Sequence, residues 1–127
     1  MKKIICVSMA AILILLSATA CSQSSHVFIG RVETFENSIW QVSYNKFDGV
    51  YQREIRPGNS GECVFTVTVV SEAGQLGLTI TDKDGTVIYS EAALSSSIFD
   101  IKVEGGTTYI VKFQGENHRG SFQVKWK

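Results

Sequence analysis

Cys63-Val64-Phe65-Thr66-Val67-Thr68-Val69 decides the fold. Cys63, Phe65, Val67 and Val69 fall on one side of this run, with Val64, Thr66 and Thr68 on the other. A period of two residues is the signature of a strand with one buried face, whereas an amphipathic helix repeats every 3.6 residues. The same alternation extends outward in both directions. Downstream, Leu76, Leu78 and Ile80 mark a strand, and Asp82-Lys83-Asp84-Gly85 turns the chain into Thr86 to Ser90. After a Ser-rich connection, Phe99, Ile101 and Val103 oppose Asp100, Lys102 and Glu104. Gly105-Gly106 predicts a tight turn into Tyr109, Val111 and Phe113, and Phe122, Val124 and Trp126 close the chain. Upstream, Ser38 to Phe47 carries Trp40, Val42 and Tyr44 on one face. Asp48-Gly49 reads as a hairpin turn into Val50 to Ile55, and Arg56 to Gly61 as a loop. Proline occurs once and no stretch keeps a helical period. Strands with one apolar face need a second sheet to cover it. The prediction is an all-β, two-sheet antiparallel β-sandwich of about eight or nine strands, spanning residues 27–127.

The N-terminus is built differently. Lys2 and Lys3 precede an apolar run from Ile4 to Leu16, and Ala18-Thr19-Ala20 leads into Cys21. A helix over that run would be roughly 20 Å long, short of the roughly 30 Å of a bilayer's hydrocarbon core. The layout is that of a cleaved signal peptide over residues 1–20. Cutting after Ala18-Thr19-Ala20 as an ordinary secretory signal would leave Cys21 a plain N-terminal thiol; the small-small-Cys ending favours a lipidated one.

On Ala18-Thr19-Ala20-Cys21 the chain resembles the bacterial lipoproteins. The resemblance implies a diacylglyceryl group on the Cys21 sulfur and an acylated amine, palmitate-like chains that hold the protein to a cell membrane or outer membrane on its extracytoplasmic side. Two or more chains give stable attachment where one does not. Residues 21–26 then form the lipidated N-terminus and a short tether. Only Ser22, Gln23, Ser24 and Ser25 separate Cys21 from the first apolar residues at Val27, a tether of roughly 15–20 Å fully extended, so the domain is expected close to the membrane.

Loss of Lys2 and Lys3 leaves ten basic residues of the original 12 against 12 acidic ones, a net charge of about −2 without blocks. A nucleic-acid partner would call for a basic stripe, and none is present. Of three cysteines, Cys6 leaves with the signal and Cys21 is acylated. Cys63 remains, in step with Phe65 and Val67, and reads as a buried, inert thiol.

Over about residues 62–127 a second resemblance rests on Gly105-Gly106-Thr107-Thr108-Tyr109-Ile110-Val111 and Gly120-Ser121-Phe122-Gln123-Val124. These look like the closing hairpin of pre-peptidase C-terminal-type β-sandwiches. Leu76 to Asp82, ending in the Gly85 turn, fits the same layout. The resemblance implies the fold, and in that family the module is usually appended to a secreted enzyme.

The inventory of reactive groups is thin. His26 and His118 do not have metal-ligand spacing, one cysteine cannot build a cysteine-rich zinc site, and neither a Gly-x-Ser-x-Gly elbow nor a phosphate loop occurs. Asp82-Lys83-Asp84-Gly85 opens like a calcium loop, but Thr86 stands where a further oxygen ligand belongs and Ala93 where the twelfth-position Glu belongs. A turn between strands is the expectation there. No catalytic residue, cofactor or metal is assigned.

Trp40, Tyr44, Phe65, Phe99, Tyr109, Phe113, Phe122 and Trp126 are all expected to face the core. Tyr51 and Phe47, flanking the Asp48-Gly49 turn, are less firmly placed. With Arg53 and Arg56 nearby, Tyr51 and Phe47 mark the best candidate ligand surface. His118, in a predicted polar loop from Gly115 to Gly120, marks the second. The leading expectation is a membrane-anchored, non-catalytic binding or assembly module of the cell envelope, its partner an envelope protein or glycan. A structural envelope protein without a specific ligand is the rival, and a small hydrolase accessory the third reading.

Overall fold

The computed structural model describes residues 25–127. The signal segment, Cys21 and residues 22–24 of the tether lie outside the described residues. Seven strands make up the domain: β1 (His26–Ile29), β2 (Val32–Glu36), β3 (Ile39–Ile55), β4 (Glu62–Asp82), β5 (Val87–Glu91), β6 (Ser97–Glu104) and β7 (Tyr109–Trp126). All pairings are antiparallel. The all-β sandwich expected from the alternation is what forms, but its strand count differs. β3 has 17 residues, β4 has 21 and β7 has 18. Straight strands of that length would run about 55–70 Å, several times the roughly 13 Å radius of gyration of a domain this size. Each therefore bends in the middle and serves both layers.

In one layer the order is β2, the first half of β3, the second half of β7, the first half of β4, then β6. In the other, β1 pairs at the kink of β3, from Lys46 to Gly49, and the order runs on through the second half of β3, the first half of β7 and the second half of β4 to β5. Pairs read as separate strands in the sequence (38–47 with 50–55, 63–70 with 76–80, and 109–113 with 122–126) are halves of single ones.

Two sequence signals were misleading for a common reason. Asp48-Gly49 is not a hairpin turn: Gly49 takes φ +102° inside β3, and the register against β7 slips on either side of Phe47. The left-handed residue makes a bulge that kinks the strand instead of reversing it. The Asp48 carboxylate accepts the Asn117 N–H at 2.7 Å, tying the kink in β3 to the kink in β7. Likewise Gly115 to Gly120 is no loop. β7 continues through it and bends there, so the closing hairpin read there is one folded strand. Gly120 has φ +143°, and a Cβ on it would collide with the Val70 carbonyl oxygen.

The Gly105-Gly106 turn does form, but it carries the chain from β6 in one layer to β7 in the other, because β6 pairs only with β4. The Asp82 turn is as expected: its carboxylate accepts the N–H groups of Asp84 and Thr86, both at 2.9 Å, capping the β4–β5 connection.

The core lies between the layers. Trp40, Val42, Phe65, Val67, Phe122 and Val124 from one meet Leu78, Ile80, Val111 and Phe113 from the other, all essentially inaccessible to water. Cys63 is buried among them as a free thiol. Of the eight aromatics expected inside, Phe99 and Trp126 are only half-buried, on the flank of the cluster.

Candidate functional site

β2 runs along the open edge of β3. Because Glu33 pairs with Val42 and Phe35 with Trp40, both β2 side chains share the inward face of β3. Across the mouth of the sandwich, Tyr51, Arg53 and Ile55 form the inward face of the other half of β3, opposite Phe113, Val111 and Tyr109 of β7. The kink in β3 thus brings residues 18 and 20 positions apart within contact. Glu33 is where they meet.

The Trp40 indole Nε1 donates to Glu33 Oε2 at 2.9 Å. The Tyr51 hydroxyl donates to the same carboxylate at 2.8 Å, and Arg53 donates from both Nε and Nη2 to Oε2 at 3.2 Å. Trp40 is fully buried, and a buried indole N–H needs an acceptor. Glu33 supplies it. The Glu33 side chain is 16% exposed, and this desolvation by itself pushes its carboxyl pKa up. Hydrogen bonds from Trp40, Tyr51 and Arg53, with the Arg53 charge, outweigh burial and hold it below the ordinary value. Burial, followed by the neighbouring Glu33, moves the Tyr51 hydroxyl the other way.

The outer rim of the group is cationic and aromatic. The Arg53 guanidinium lies 4.1 Å from the ring centroid of Phe35, and its side chain is 35% exposed. Arg31 reaches over Phe28 at 5.2 Å and approaches Glu33 at 4.0 Å, with 41% of its side chain in solvent. Phe35 itself is an exposed aromatic. Two guanidinium groups around one carboxylate leave a local excess of positive charge on a rim whose Phe35 and Arg53 are fixed by strands and whose Arg31 lies in the short β1–β2 connection.

Phe47, expected on the same ligand surface, is instead fully buried and stacked on Phe28. Of the other four predicted binding residues, Tyr51 and Arg53 therefore belong to one cluster. Arg56 does not: it follows β3 into the loop, beside the Gly106 turn. His118 is also elsewhere, and its placement corrects the reading of a solvent-facing loop. It is fully buried at the bend of β7. Its Nδ1 shares a 2.7 Å hydrogen bond with the Tyr44 hydroxyl and its Nε2 a 3.1 Å one with Ser71 Oγ. Burial pushes the His118 pKa below 6.5 and the Tyr44 pKa far above its usual range. Ser71 sits at the bulge of β4, where Ser96 brackets its backbone N–H and carbonyl. Ser71, His118 and Tyr44 stitch the three kinked strands together.

Glu33, Arg31 and Phe35 escaped the sequence reading. Val32-Glu33-Thr34-Phe35-Glu36 is too polar to read as a strand on its own. The available signal was the partner shortage of a buried Trp40.

Apart from this cluster, a concavity of about 520 Å³ lies at the β2–β3 turn, lined by Val64, Thr66, Asp100, Lys125, Trp126 and Lys127 among others. Its Asp100 carboxylate already accepts the Thr66 hydroxyl at 2.8 Å.

No family model matches the chain, and no curated protein matches it. Similar solved structures include a carbohydrate-binding module of Cellvibrio mixtus lichenase 5A in complex with cellotriose, 17% identical, covering 83% of this chain and 86% of that one at a TM-score of 0.41. A family 35 carbohydrate-binding module from Clostridium thermocellum is 12% identical, with coverages of 80% and 88% and a TM-score of 0.40. An exo-β-1,3-galactanase from Phanerochaete chrysosporium is 10% identical over 84% of this chain and 28% of its own, at a TM-score of 0.42.

Proposed function

We propose that this chain is a bacterial envelope lipoprotein, anchored by acyl chains on Cys21, whose domain is a non-catalytic binding or assembly module. The observation that carries the binding half is the Glu33 cluster. Its buried carboxylate fixes Arg53 across Phe35, while Arg31 and the edge of Phe35 remain open to solvent. Preorganised donors lose little side-chain entropy when a ligand arrives. Guanidinium groups beside an aromatic face suit a partner rich in hydroxyl or carboxylate oxygens, an envelope glycan or an acidic protein segment. The anchoring half rests on the signal ending at Cys21.

One observation favours a structural reading of the same residues. Glu33 is saturated by Trp40, Tyr51 and Arg53, so the cluster also acts as a clasp across the sandwich edge. The two readings separate on Tyr51→Ala and Arg53→Ala made in the full-length protein, with partner capture measured by crosslinking in intact cells and folding by thermal melting. A binding module loses its crosslinked partner at temperatures where the variants are still folded. A purely structural clasp lowers the melting temperature and leaves capture by the folded fraction unchanged.

A further inference from the structure

The edge opposite β5 carries apolar side chains that the core does not use. Along β1, His26 and Phe28 turn inward, Phe28 stacking on Phe47 with centroids 4.5 Å apart. Val27 and Ile29 consequently turn outward, beside Asp48 and Lys46, and Val32 continues the row beside Ser43. These three side chains are 59%, 53% and 67% exposed. Gly30, at φ +68°, breaks the edge between β1 and β2. The two short strands therefore offer no long straight ladder to a strand from another chain.

What lies upstream of the row identifies its occupant. Ser25 is already fastened to β3, its carbonyl accepting the Val50 N–H at 2.7 Å. Only four residue steps separate it from Cys21, at most about 14 Å of chain. With the acyl chains of Cys21 in the hydrocarbon, β1 stays within reach of the headgroup layer, which is roughly 5–8 Å thick on each side of a bilayer. We propose that Val27, Ile29 and Val32 form a membrane-docking edge, which lies in the headgroup interface of the same bilayer that holds Cys21. This inference rests on the lipoprotein reading. Lys46, in register with Ile29 and ion-paired with Asp48 at 3.4 Å, sits where its ammonium can exchange that carboxylate for a lipid phosphate while its stem follows the apolar row. Docking would fix the orientation of the domain and, through β2, the direction in which the Arg31–Arg53 rim faces.

The test uses the full-length protein purified from membranes and reconstituted into vesicles of phosphatidylethanolamine and phosphatidylglycerol. An environment-sensitive fluorophore is placed on Ile29→Cys, or on Val87→Cys of β5 as the far-edge reference. The expected result is a blue-shifted emission at position 29, quenched severalfold by brominated acyl chains, with position 87 water-like. Adding Val27→Ser and Val32→Ser should remove most of the quenching at 29. An acylated protein, verified by intact mass, whose position 29 behaves like position 87 overturns docking and leaves the anchor standing. A mass without acyl chains overturns both. A blue shift that persists without vesicles and grows with protein concentration assigns the row to a second copy of the chain and also overturns the proposal.

Discussion

Phe113 and Phe122 lie on the same strand, nine residues apart, yet their rings stack with centroids 3.8 Å apart and planes 14° from parallel. In a straight strand nine residues cover about 30 Å. The stack exists because β7 folds over at Gly115 to Gly120 and sends one ring into each layer. Trp40 meets both rings edge-on, at 5.7 and 5.2 Å. The core is thus three long strands closing on themselves.

This stack should be strongly coupled. Phe113→Ala and Phe122→Ala are each expected to cost about 3–5 kcal/mol in urea unfolding. Because each removes the other's partner, the double variant should lose measurably less than the sum of the two. Additive losses would show that the rings stabilise their layers independently.

Gly120→Ala should destabilise by about 2 kcal/mol or more, since φ +143° is open essentially to glycine and the new methyl meets the Val70 carbonyl. Gly85→Ala is the reference: Gly85 has φ +86°, but nothing lies within 4 Å of its added Cβ. It should lose less.

Protonation of His118 should set the acid limb of stability. Burial holds its folded-state pKa below the ordinary 6.5. Between those values the unfolded chain binds more protons than the folded one, so stability rises with pH there. The contribution is complete above 6.5 and is lost as pH falls from 6.5 through the folded pKa. His118→Gln should flatten the melting temperature across that window while lowering it at neutral pH.

Glu33→Gln keeps the shape of the clasp and removes its charge. Charge-assisted hydrogen bonds contribute about 1.5–3 kcal/mol each, against roughly 1 for neutral ones. The variant should therefore unfold at lower urea near neutral pH. Since the Glu33 pKa is lowered, its contribution is present above the unfolded value of 4.5 and fades as pH drops through the folded one. Wild type and Glu33→Gln should converge at the acid end.

The layered β-architecture was legible because alternation is local: Trp40, Val42, Phe65, Val67, Val111 and Val124 could be assigned inward one strand at a time. The joining of strand halves was not, because a left-handed glycine serves a hairpin and a bulge equally well, and the Asp48–Asn117 bond that selects the bulge spans 69 residues. Tyr51 and Arg53 were legible as an aromatic and a cation close together after the Asp48-Gly49 signal. Their centre, Glu33, was not, since only the tertiary need of the Trp40 indole makes a polar five-residue segment into β2. His118 was misplaced because polar neighbours suggested a loop, although Tyr44 and Ser71 supply everything its ring requires inside.

Under the proposed function, the edge around Glu33 receives an envelope partner. Photo-crosslinking in living cells checks this, with a photoreactive residue replacing Phe35 in the full-length protein and the same residue at Val87 as reference. The expected result is a discrete adduct from position 35, absent from position 87, that falls severalfold on adding Arg31→Ala at unchanged melting temperature. Identical adduct patterns at the two positions, or an adduct indifferent to Arg31→Ala, would contradict it.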